Sequence, residues 1–131
     1  MKQFPAPPGF DPEMTADFLA NQTSRRVGTK LVLETETMLI WHLRLAPGER
    51  LGFHRHDRPY FWSIVTDGKA RSRYDDGRVA DRTYVAGDTS DFPNLTPETA
   101  FVHDIENIGE TELVFVTVEF KTGAGAKRAA Q

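Results

Sequence analysis

The sequence predicts an all-β domain that carries one short N-terminal helix. Three observations point there. From Leu31 to Phe120 the apolar residues recur with a period of two, the signature of strands rather than helices. The alternating runs are short and recur at roughly ten-residue spacing, the rhythm of a sandwich or barrel. Gly-, Pro- and Asp-rich turns separate them: Pro47-Gly48, Asp67-Gly68, Asp75-Asp76-Gly77, Ala86-Gly87-Asp88 and Gly109-Glu110.

Taken in order, residues 1–9 are Pro-rich and read as an extended arm. Asp11-Pro12-Glu13 then has the form of a helix start, with Asp as N-cap, Pro in the first helical position and Glu in the first turn. Met14, Phe18 and Leu19 give a short apolar stripe, and Asn21 ends the helix. Arg25, Arg26 and Gly28 lie in the connector. Strands follow at LVLETE (31–36) and MLIWHLRLA (38–46), the latter with Leu39, Trp41, Leu43 and Leu45 on one face and Ile40, His42 and Arg44 on the other. RLGFHRH, YFWSIV, KARSRY and RVADRTYV continue the series. The stretch from Ala86 through Pro93 and Pro97 reads as loop, then AFVHDIEN (100–107) and ELVFVTVEF (112–120) close the chain as strands. The last is apolar on both faces, so a second sheet or a partner subunit is expected to cover it. The organisation expected is an arm and helix over 1–30, a barrel over 31–121 and a small, polar, disordered tail over 122–131.

Composition bounds the function. The 131 residues, 39% hydrophobic and 27% charged, describe one soluble globular domain. A net charge of −3 without a basic block argues against nucleic-acid binding. With no cysteine there is no disulfide framework, thiolate nucleophile or Cys-based zinc site. The opening MKQFPAPPGFDPEM has no apolar core of a secretory signal, and no run reaches the roughly 20 apolar residues of a membrane span. A cytoplasmic protein without membrane association is expected.

Chemistry concentrates between Pro47 and Gly68. His54 and His56 flank Arg55, and in a strand both imidazoles project to one face, where they can converge on one ion. The alternative is two surface histidines with no shared task. The stretch from Gly48 through His54, Arg55 and His56 to Gly68 resembles the first motif of the cupin superfamily. Gly87-Asp88 through Pro93 to His103 and Asn107 resembles its second motif. The resemblance implies a double-stranded β-helix, a jelly-roll-type barrel, with a metal inside its open end. It places His54, His56 and His103 at the family's three histidine ligands. The family's carboxylate ligand, after a spacer of four residues, falls on Phe61, with Tyr60 just before it, so that ligand is missing. About five extra residues around NLTPET also separate Pro93 from His103, and Glu98 lies among them.

Three imidazoles with open positions can hold a divalent cation such as iron, zinc, nickel or manganese. Without a carboxylate the site keeps the ion's full charge, which favours a small anionic ligand, a carboxylate or enolate. The alternative is a degenerate, metal-free site whose histidines bond one another or water. Tyr60 is the candidate catalytic donor, or else packs at the barrel mouth. Phe53, Phe61 and Phe101, with Trp62, are candidate pocket walls. Arg71 and Arg73 hold a substrate carboxylate if their strand face is interior, and are a solvated face otherwise. Asp104 and Glu106 alternate away from His103 and read as outward; His42 reads as structural. HRH with the YFW strand, GKARSRYDDG and VHDIENIG…LVFVTVEF show a weaker similarity to small cupins associated with β-alanine degradation, which tilts the substrate towards small carboxylates. The reading is a metal-dependent enzyme, either a dioxygenase or an isomerase or lyase. Its rival is a non-catalytic small-molecule binding or sensor protein. A homodimer is expected in both cases.

Overall fold

The computed structural model describes residues 2–121, so the tail expected at 122–131 lies outside the described residues. Helix α1 (Pro12–Asn21) begins where Asp11 accepts a bond from the Met14 amide, and Pro12 costs nothing at a position whose N–H would be unpaired. Nine strands follow: β1 (Lys30–Glu34), β2 (Met38–Leu45), β3 (Arg50–His56), β4 (Tyr60–Ile64), β5 (Gly68–Arg73), β6 (Val79–Tyr84), β7 (Thr89–Phe92), β8 (Phe101–Asn107) and β9 (Leu113–Phe120). They form two antiparallel sheets, one in the order β1-β2-β9-β4-β7 and the other β3-β8-β5-β6. This interleaving of distant strands is the double-stranded β-helix the sequence predicts.

Two apolar clusters hold the layers. Between the sheets lie Leu43, Leu45, Ile64, Ala70, Tyr84, Ile105, Leu113 and Phe115, each from the inward phase of its strand. Outside the four-stranded sheet, Phe18 of α1 meets Phe53 and Val102, with Phe4, Phe10 and Met14 packed against them. The helix and arm therefore roof the outer face of β3 and β8. Arg55 is 1% exposed under this roof, donating to the carbonyls of Gln22 and Lys2. Glycine is needed at two close passages. Gly77 sits at φ 87° in the β5–β6 turn, and at Gly28 a Cβ would come within 2.7 Å of the His42 carbonyl oxygen.

Two parts of the chain differ from expectation. Residues 89–92, expected as loop, pair with β4 as an edge strand, and Pro97–Thr99 forms a 3-10 turn capped by Thr96. The strand gains its order from a distant partner, Phe92 lying across from Tyr60 some thirty positions away, whereas the turn is held locally by the reciprocal bonds of Thr96 and Thr99.

Candidate metal centre

Three strand registers assemble the histidines. β3 presents His54 and His56 inward because the intervening Arg55 takes the outward phase. β8 runs beside β3 with His103 directly across from His54, while a bulge between Leu51 and His54 sets the phase. The three rings form a triangle with centroid separations of 5.0 Å (His54–His56), 4.7 Å (His54–His103) and 5.0 Å (His56–His103). Their nitrogens lie within 4.8 Å of one another, the sole such cluster of metal-ligating groups among the described residues.

The donor geometry fits a cation. His54 Nδ1 lies 2.8 Å from the Gly52 carbonyl, which can only accept, so the proton belongs on Nδ1 and the Nε2 lone pair is free to ligate. His56 Nε2 and His103 Nε2 stand 3.1 Å apart. Ligand nitrogens about 2.0–2.1 Å from a metal, at octahedral to tetrahedral angles, lie roughly 2.8–3.4 Å from each other. Their Nδ1 atoms are buried without a hydrogen-bond partner. Burial lowers the pKa of His54 to about 4. His56 and His103 are held well below the usual imidazole value, first by burial and then by neighbouring histidines. All three are neutral at pH 7, the state a ligand requires.

A cavity of about 480 Å³ opens beside this triangle. Tyr60 lines it and stacks on His56 with centroids 4.2 Å apart. Burial pushes the Tyr60 phenol well above its ordinary value, so its hydroxyl stays protonated as a donor. Phe101 also lines the cavity, stacked on His56 at 5.0 Å. Glu98 is exposed in the 3-10 turn and stands apart from the histidine cluster.

Four residues expected at the pocket are elsewhere. Phe53 faces outward into the cluster under α1. Phe61 also faces outward, beside Phe120, because Tyr60, Trp62 and Ile64 hold the inward phase of β4. The place next to the histidines that the sequence gives to Phe61 therefore belongs to Tyr60. Arg71 and Arg73 point out as well: Ala70, Ser72 and Tyr74 line the interior, Arg71 pairs with Asp81, and Arg73 pairs with Asp104 and Glu106. Asp104, outward as expected, is fully buried between Arg50 and Arg73. In their stead the cavity receives two arginines that the sequence reading passed over, Arg78 and Arg82. The signal was available in RVADRTY: Tyr84 is an inward aromatic, and Ala80 and Arg82 share its phase.

No family model and no curated protein sequence matches this chain. Solved structures do. A cupin domain from Bordetella pertussis Tohama I superposes with a TM-score of 0.61 at 25% identity, over 71% of this chain and 91% of that one. A conserved protein with a double-stranded β-helix domain from Klebsiella pneumoniae matches at 0.52 and 27% identity, over 67% and 66%. A predicted oxalate decarboxylase from Thermotoga maritima matches at 0.50 and 25%, over 75% and 87%.

Proposed function

Because this chain is a small cupin, with the double-stranded β-helix of those proteins, we propose that it is a metal-dependent enzyme acting on a small anionic metabolite. The observation that carries this reading is the buried triangle of His54, His56 and His103. Its Nε2 atoms converge, and one of them is oriented by the Gly52 carbonyl. A divalent ion held there would supply Lewis-acid polarisation of a substrate oxygen, or oxygen chemistry if redox-active. The protein's own part is threefold. His54 is fixed in the ligating tautomer by its backbone acceptor. Tyr60, stacked on His56, offers a protonated hydroxyl at the cavity wall. The aromatic lining would surround a bound ligand with apolar surface, which strengthens the polar contacts made against it. Similarity to a predicted oxalate decarboxylase supports a carboxylate as the anionic group.

The test is elemental analysis of protein purified without an affinity tag. A stoichiometric first-row divalent metal is expected in the wild type, lost in His56→Ala while the thermal melt persists. Wild-type protein that neither carries metal nor takes it up from solution would refute the proposal. Iron with substrate-dependent oxygen uptake selects cleavage by oxygen; zinc selects isomerase or lyase chemistry.

A further inference from the structure

The chain carries a net charge of −3, yet the lining of the cavity beside the histidines includes no Asp or Glu. Its only charged members are Arg78 and Arg82. Each guanidinium lies against an aromatic wall. Arg78 sits 4.1 Å from the Tyr74 ring centroid, and that ring is 5.2 Å from His103. Arg82, itself exposed, lies 4.9 Å from Tyr84 and 5.1 Å from Trp62. Arg78 reaches Asp76 only at 4.0 Å, through a pair that is 62% exposed on both sides. No ion pair among the described residues includes Arg82. This contrasts with Arg50, Arg71 and Arg73, whose guanidiniums all sit on carboxylates at 2.7–2.8 Å.

We infer that Arg78 and Arg82 are the carboxylate anchors of this pocket and that its ligand is an organic acid with a flat, unsaturated body rather than a two-carbon diacid. Three features combine. A guanidinium stacked on an aromatic ring keeps its N–H edge free, and that edge matches a carboxylate in a two-point fork. Two arginines and no carboxylate in the lining give the cavity positive charge, so an anion is the complementary guest. The volume of about 480 Å³ lies in the range of cavities that enclose multi-atom organic ligands, and oxalate would leave most of it empty. Tyr60, Trp62, Tyr74, Tyr84 and Phe101 present ring faces and edges to that space, which suits a planar guest. The anchors stand on the β5–β6 turn and on β6, so they choose the acid while the histidines serve its reactive end. In that respect alone the inference rests on the three-histidine reading.

The experiment is calorimetric titration of the full chain, metal-free and zinc-loaded, with cinnamate, its uncharged amide and oxalate. Cinnamate is expected to bind at least tenfold more tightly than either of the others. Arg82→Gln and Arg78→Gln should each weaken cinnamate binding about tenfold, leave the amide unchanged and preserve metal content and melting temperature. Arg82→Lys should fall between, because it keeps the charge and loses the fork. Arg71→Gln, on the outer face, should match the wild type. Equal affinity for cinnamate and its amide, no binding of cinnamate at millimolar concentration, or cinnamate binding untouched by both substitutions would each overturn the inference. Arginine-dependent cinnamate binding by a chain that takes up no metal would sustain this inference and sink the metal proposal.

Discussion

Asn107 touches nothing in the cavity, yet it joins three pieces of backbone. Its side-chain amide donates to the carbonyls of Leu45 and Thr111, and its side-chain oxygen accepts from the Gly109 amide. Asn107 itself is 1% exposed, its bond to the Leu45 carbonyl is buried and those to Thr111 and Gly109 are partly buried. Each buried group stranded by truncation costs roughly 1–3 kcal/mol, so Asn107→Ala should lower unfolding free energy by about 2–4 kcal/mol in urea titrations. Metal content should stay unchanged, since the histidine triangle is held by β3 and β8 rather than by this turn. A loss below about 0.5 kcal/mol, the scale of an ordinary surface substitution, would show that the turn is held by other means. At this scale the sequence was legible where residue type alone decides. The three histidines share one strand phase and two separated motifs. It was less legible where the decision was one of phase. Arg71 with Arg73, and Ala80 with Arg82, are equally good period-two pairs, and only the packing of Ala70 and Tyr84 against the opposite sheet shows which pair enters. The Phe61 position failed for the same reason: shifting by one residue exchanges Phe61 outside for Tyr60 inside.

Elements follow the same logic on a longer range. The helix was readable because its signals are local: Asp11 caps, Pro12 starts, Asn21 ends. β7 was not, because three polar residues and Phe92 between Gly87-Asp88 and Pro93 carry no pattern of their own and become a strand only by pairing with β4. What fastens α1 to the barrel is also non-local. Asp17 accepts from Arg50 at 2.7 Å, from the Phe53 amide at 3.2 Å and from Asn21 at 2.7 Å. Burial alone would raise the pKa of this carboxyl, but the bonds from Asn21, Arg50 and Phe53 outweigh it and hold the group below 3.8. A carboxylate with a lowered folded-state pKa stabilises the fold above its unfolded value and ceases to do so as pH falls through the folded one. Asp17→Asn should therefore be less stable than wild type at neutral pH, and the gap should close progressively below about pH 4. Urea midpoints measured down the acid limb check this; a gap that stays constant with pH would remove Asp17 from the acid sensitivity of the helix.

The whole molecule is asymmetric in how its two sheets meet solvent. The four-stranded sheet has the outer face of β3 and β8 roofed by α1 and the arm, and that of β5 and β6 covered with charged side chains. α1 does not roof the five-stranded sheet, whose outward phase carries an apolar row across four strands in direct register. Leu33 lies opposite Ile40, Ile40 opposite Val118, and Val118 opposite Phe61, with Met38 and Phe120 paired beside them. Leu33 is 49% exposed and its neighbour Val32 is 44% exposed, Ile40 and Phe61 are half-buried, and Val118 and Phe120 are already buried at 8% and 7%. Scattered exposed valines elsewhere, such as Val79 and Val85, form no such row. A contiguous apolar face on a small domain is a site of association. A twofold pairing of this face with itself would give β9 the second cover that its alternation demands. The expected result in light scattering coupled to size exclusion is a particle of twice the 14.8 kDa chain. Ile40→Lys, in the middle of the row, should return it to the monomer without disturbing metal content, because Ile40 faces away from the cavity. A wild-type chain that remains monomeric at tens of micromolar would exclude the pairing, and a dimer indifferent to Ile40→Lys would move the interface to another face.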